Sequence, residues 1–131
     1  MTYAGDISPQ EAHDLLASND AAVLIDVRTA AEWTWVGIAD VADARHVSWT
    51  LWPEGVQNSD FVTEATAGLD QDQPILFLCR SGGRSAAAAS AATAAGFTQC
   101  YNIATGFQGD PDQNGHRTGG WQGAGLPWRQ S

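Results

Sequence analysis

The sequence predicts a three-layer α/β fold, with a central, mostly parallel sheet of four or five strands and helices on both faces. Two continuous apolar runs, residues 22–26 (AVLID) and 75–79 (ILFLC), read as strands buried on both sides. Helical patterns alternate with them, the clearest being residues 85–95 (SAAAASAATAA). Parallel strands need crossover connections of about a dozen residues or more, which these alternating helices supply.

In chain order, Ser8-Pro9-Gln10-Glu11 opens a helix running to about Ala17: Ser8 can cap, proline suits the first helical position, and Glu11 stands at capping-box distance. The strand at 22–26 follows, and Thr29 can cap a second short helix carrying Glu32, Trp33 and Trp35. Residues 46–50 have some strand character, and Pro53-Glu54-Gly55 is a turn. A helix over 58–67, capped by Asn58 or Ser59, ends at Gly68, and Pro74 admits the strand at 75–79. Gly96 closes the alanine-rich helix, and Tyr101-Asn102-Ile103 reads as another strand. The segment 105–131 is rich in glycine, yet Trp121 and Trp128 predict an ordered, irregular tail packed on the domain. The whole span 1–131 reads as one domain without internal repeats.

Composition removes several function classes. The 131 residues hold 6 basic and 15 acidic side chains, a net charge of −9, and all six bases are arginine. Such a surface repels nucleic-acid backbones and anionic lipid, so neither nucleic acid nor membrane is an expected partner. Much of the 44% hydrophobic content is alanine, no run approaches the length of a membrane span, and the first residues lack a signal-peptide pattern. A cytoplasmic protein is expected. Cys79 and Cys100 are too few and too far apart for a disulfide scaffold or an ordinary zinc site.

The chemistry concentrates in Cys79-Arg80-Ser81-Gly82-Gly83-Arg84-Ser85. A thiol at the carboxyl end of a buried strand, followed at once by a short loop and a helix start, occupies the place where open α/β sheets bind ligands. The paired glycines let the backbone turn with its N–H groups inward, the helix adds its positive dipole end, and Arg80 and Arg84 add charge. Such surroundings favour thiolate over thiol and make Cys79 the predicted nucleophile. A cysteine that only packs a core has no need of an anion cradle.

These residues resemble a single-domain rhodanese, a sulfurtransferase of the persulfide-forming kind. The resemblance covers about residues 8–129: Leu24-Ile25-Asp26-Val27-Arg28 with Glu32-Trp33, the Cys79 loop before an alanine-rich helix, Gly96-Phe97, Tyr101-Asn102-Ile103, Gly106-Phe107, Gly109, and Gly125-Leu126-Pro127-Trp128. Many members carry Gly-His-Ile-Pro-Gly-Ala where this chain has residues 36–49 (VGIADVADARHVSW), a departure on one wall of the pocket. The resemblance implies a rhodanese-like fold and a two-step transfer. Cys79 attacks the sulfane sulfur of a small anionic donor such as thiosulfate, sulfite leaves, and cyanide or a thiol, a protein thiol included, then takes the sulfur. Arg80 and Arg84 would hold the donor, and the amides of Ser81, Gly82, Gly83, Arg84 and Ser85 would cradle it. Neither metal nor organic cofactor is implied. Asp26, Arg28 and Glu32 match an acid-arginine-acid pattern implying structural pairing between the first strand and the next helix, with pocket lining a second role for Arg28.

Two rivals stand beside this reading. A cysteine phosphatase or arsenate reductase also sets a thiolate and an arginine around an oxyanion, but with five residues between them where Cys79 and Arg84 have four. A non-catalytic interaction module would usually lack the cysteine. Among weaker signals, Asp110–Gly115 imitates half an EF-hand loop, yet Trp121 stands where the bidentate glutamate belongs, so a capped turn is expected. Cys100 reads as a packed core cysteine, with a resolving thiol as its other possible role.

Overall fold

The computed structural model describes residues 3–130, so residues 1, 2 and 131 of the expected single domain lie outside the described residues. In chain order the elements are β1 (Gly5–Ile7), α1 (Pro9–Ser18), β2 (Val23–Asp26), α2 (Ala30–Trp35), β3 (Ile38–Ala39), β4 (Arg45–His46), β5 (Thr50–Leu51), β6 (Val56–Gln57), α3 (Phe61–Ala65), β7 (Ile75–Leu78), α4 (Gly83–Ala94), β8 (Cys100–Ile103), α5 (Gly120–Gly123) and β9 (Trp128–Arg129). Five strands make the central sheet in the order β1-β8-β7-β2-β4, with every pairing parallel.

Alternation along the buried strands divides the core into two layers. Ile25, Ile75, Phe77, Cys79 and Cys100 face α3 and α4, where Phe61, Ala65, Ala88, Ala89 and Ala92 meet them. Leu24, Leu76, Leu78 and Ile103 face the other way, toward Ala12 of α1, Trp121 of α5 and Phe107. The alanines of α4 bring that helix close onto the sheet, so its first turn stands directly above the end of β7.

The predicted capping box forms between Ser8 and Glu11 at α1, and the predicted Thr29 cap at α2 is completed by Glu32 into a second box. The helix expected over 58–67 is shorter, because the Asn58 carboxamide oxygen accepts the Asp60 N–H, making a turn ahead of α3. Strand β1 is the central-sheet strand the sequence leaves unmarked, and β3, β6, α5 and β9 are short elements outside that sheet that it also leaves unmarked. The three residues of β1 carry no long apolar run, and they become a strand by pairing with Tyr101, Asn102 and Ile103.

The glycine-rich tail is tied down at both ends. Strand β9 pairs antiparallel with β3, and Trp121 is fully buried with its indole N–H donating to Pro127 O at 2.7 Å. Residues 36–39, in the segment that departs from the resembled pattern, therefore lie against the tail: a Cβ on Gly37 would meet the Trp128 ring and Arg129 O at 2.9 Å. The EF-hand imitation is a capped turn, in which one Asp112 carboxylate oxygen accepts the N–H groups of Asn114 and His116. No helix among the described residues is long and apolar enough to cross a membrane.

Candidate functional site

Cys79 follows β7 immediately, and its backbone orientation is set from behind. Phe107 N–H donates to Cys79 O at 2.8 Å, while Gln108 and Gly109 N–H donate to Arg80 O at 3.0 and 3.1 Å. Both carbonyls are thus committed to residues 107–109, and the Gly82 amide that follows turns toward the sulfur. Gly82 N–H lies 3.0 Å from Cys79 Sγ. This turn requires glycine twice over. Gly82 has φ +110° and sits so close to the next strand's exit that a Cβ would come within 2.2 Å of Ala104 O, while a Cβ on Gly106 (φ +62°) would come within 2.6 Å of Cys79 O and of the Arg80 carbonyl.

Helix α4 begins at Gly83 with Gly82 as its N-cap, and no side chain caps it. Its first amides therefore have no intrahelical acceptor, and they open onto the loop that holds the sulfur. Ser85 adds a hydroxyl, 3.2 Å from Cys79 Sγ and 2.5 Å from Asn102 Oδ1. Asn102 in turn donates to Asp6 at 3.0 Å, and Tyr3 donates to the same carboxylate oxygen at 2.7 Å. Sequence reading singled out neither Asn102 nor Asp6 for the site, since each reaches Cys79 only through the sheet register that sets Asp6 opposite Asn102.

The arginines divide differently from their sequence positions. Arg80 is exposed, with its Nε tethered to Gln108 Oε1 at 3.0 Å. Arg84 makes a two-point ion pair with Glu32, at 2.7 and 2.9 Å, so part of its charge is already answered. Burial pushes the Glu32 carboxyl upward, but Arg84 and the Thr29 hydrogen bonds outweigh it and hold its pKa at about 2. The same pair raises the Arg84 pKa, with the nearby Cys79 charge contributing. Glu32 thus ties α2 to the Cys79 loop, not to the first strand as the acid-arginine-acid pattern suggests.

Asp26 and Arg28 do pair with each other. Arg28 is fully buried, its Nε and Nη2 engage Asp26, Nη2 also donates to Gly37 O at 2.7 Å, and its guanidinium lies 4.3 Å over the Phe107 ring. This interior cation fastens the 36–39 segment and residue 107 to the end of β2, beside the loop's own support. Cys100 is elsewhere: it pairs with Ile75, four residues before Cys79, roughly 13 Å along the strand direction. That separation prevents direct sulfur exchange between the thiols. Surface concavities of about 350 and 650 Å³ lie at the opposite end of the sheet, lined by residues such as Asn19, Asp20, Val23, Pro74 and Gln99, and do not include Cys79.

Comparison with known proteins identifies the family and the fold. The rhodanese-like domain family matches residues 8–110. An uncharacterized protein of Rickettsia conorii is 38% identical over 126 residues, covering 95% of this chain and 96% of that one. The crystal structure of Rv0390 from M. tuberculosis superposes with a TM-score of 0.90 at 44% identity, covering 98% of this chain and 99% of that one. The solution structure of a 30 kDa polysulfide-sulfur transferase homodimer from Wolinella succinogenes gives a TM-score of 0.65 at 27% identity, covering 95% and 77%.

Proposed function

The chain belongs to the rhodanese-like domain family, a family of sulfurtransferase type, and on that premise we propose that it moves a sulfane sulfur from an anionic donor such as thiosulfate to cyanide or a thiol through a Cys79 persulfide. The observation that carries the reading is the Gly82 N–H at 3.0 Å from Cys79 Sγ, in a loop that runs straight into an uncapped helix start. In the first step the thiolate attacks the outer sulfur of thiosulfate. A sulfur–sulfur bond forms on Cys79 as the donor's own breaks, and sulfite leaves with the electron pair. The charge then rests on the outer sulfur of the persulfide, where the loop amides and the dipole of α4 can stabilise it.

Arg80, exposed and tethered only through Nε, is the freer cation for drawing in a dianion. Arg84 serves more as a fixed wall, oriented by Glu32. A phosphatase reading fits less well, because the four-residue spacing makes a smaller loop and the arginine it would need is engaged by Glu32. In the second step the acceptor attacks the outer sulfur and returns Cys79 as thiolate; Cys100 takes no part.

The test is thiocyanate formation from thiosulfate and cyanide by the purified protein, with intact-mass detection of one added sulfur at Cys79. Turnover with sulfur loading is the expected result. Phosphate release from an aryl phosphate without thiocyanate formation would transfer the reading to the phosphatase class, and absence of any loading would leave a binding module.

A further inference from the structure

The Ser85 hydroxyl has one proton and two neighbours that could receive it, Cys79 Sγ at 3.2 Å and Asn102 Oδ1 at 2.5 Å. Its direction is decided two residues away. A carboxylate only accepts, and one Asp6 oxygen takes both the Tyr3 hydroxyl and an Asn102 amide proton. Asn102 must therefore turn its NH₂ to Asp6 and its carbonyl oxygen to Ser85. That oxygen also only accepts, so the Ser85 proton goes to Asn102 and a hydroxyl lone pair faces the sulfur.

We propose that Asn102, oriented by Asp6, is a positioning residue that withholds the Ser85 proton from Cys79 and so favours the states in which Sγ bears no charge. Those states are the thiol, whose S–H can donate to Ser85, and the persulfide, whose charge has moved to the outer sulfur. The thiolate is the state in which the relay works against itself. To donate to it, Ser85 must abandon Asn102 and leave two oxygens facing each other at close range. Gly82 N–H and the α4 dipole favour charge at the sulfur, and the relay opposes them. The consequence rests on the sulfurtransferase reading: attack on thiosulfate moves charge off Sγ, so the relay pulls the cysteine toward its loaded form.

The charged groups around Cys79 and Ser85 remain in every variant below except Asp6 itself: Arg84 with Glu32 from α4 and α2, the Asp26–Arg28 pair at the end of β2, and Arg80 in the loop. Tyr3 keeps its proton, its pKa raised first by the bond to Asp6.

The experiment is the pH dependence of Cys79 alkylation by iodoacetamide in the full chain, followed by peptide mass spectrometry so that Cys100 is read separately. Asn102→Leu removes the acceptor at similar size and frees Ser85 for the thiolate, so the alkylation midpoint should fall by about one pH unit. Asp6→Asn, on the exposed edge strand, lets Asn102 turn over and should lower it less, without risk to the core. Both shifts should vanish in a Ser85→Ala background. An unchanged or raised midpoint in the two variants overturns the proposal, as does a shift that survives Ser85→Ala, which would mark a plain charge effect. If midpoints move as expected while no form loads sulfur from thiosulfate, the relay stands and the sulfurtransferase reading falls.

Discussion

Cys79, just past the end of β7, and Cys100, on the neighbouring β8, face the same helices and belong to one apolar cluster, with 1% and 0% of their surfaces exposed. Burial does not distinguish them; what surrounds each sulfur does. Cys79 follows its strand, under an amide N–H and a hydroxyl, at the mouth of an uncapped helix. Cys100 begins its strand, makes a weak 3.8 Å contact to Phe97 O, and burial pushes its thiol pKa up against a smaller opposing hydrogen bond with Thr93. An interior thiol acquires reactivity from polar groups fixed around it, and a parallel sheet supplies these at the carboxyl ends of its strands, where loops and helix starts gather.

The strongest way to break this contrast is to exchange the two roles. Cys79→Ser should reduce thiocyanate formation to the uncatalysed rate, whereas Cys100→Ser should leave kcat within about twofold, since removing a packed thiol changes core volume little. Equal losses would mean that the cysteines act together. Next in size is Gly82→Ala, which forces the loop off Ala104 and should cost on the order of 100-fold in kcat, with circular dichroism unchanged, the scale of losing one preorganised donor.

A third change sharpens what supports Cys79 from below. Asp26→Ala leaves Arg28 buried without its counter-ion and should lower unfolding free energy by about 3–5 kcal/mol in urea titration. The smallest effect concerns Glu32. Its pKa of about 2 lies below the ordinary carboxyl value, so its pairing stabilises fully above about pH 4.5 and that stability is lost as pH falls toward 2. Glu32→Gln should flatten this acid limb by about 1–3 kcal/mol and, by releasing Arg84, lower KM for thiosulfate about threefold. A raised KM would mean that Arg84 needs Glu32 to hold it in place more than it needs free charge.

Features legible in the sequence were those written within a few consecutive residues. The strands around Leu24 and Phe77, the capping box at Ser8, the cap at Thr29, the alanine helix and the glycine turn after Cys79 each depend on local propensity and spacing. What escaped is held by distant partners. The resembled acid-arginine-acid pattern groups Glu32 with Asp26 and Arg28, yet Glu32 meets Arg84 across 52 positions. Asn102 looked like an ordinary strand residue until the register brought Asp6 beside it and α4 lowered Ser85 onto it. Strand β1 itself exists only as an edge completed by β8, and three residues of mixed polarity cannot announce that.

The tail's attachment bears on motion as well as shape. Trp121 N–H donates to Gly106 O and Gln122 N–H to Phe107 O, and Phe107 N–H donates in turn to Cys79 O. Three layers of backbone are thus linked in series, from the glycine-rich segment through residues 106–107 to the Cys79 backbone. Local opening of such a series is cooperative, so amide hydrogen exchange at 107–109 should keep pace with exchange at 121–123, slow or fast together. The segment that carries no chemistry thereby sets how long the Cys79 loop keeps its shape.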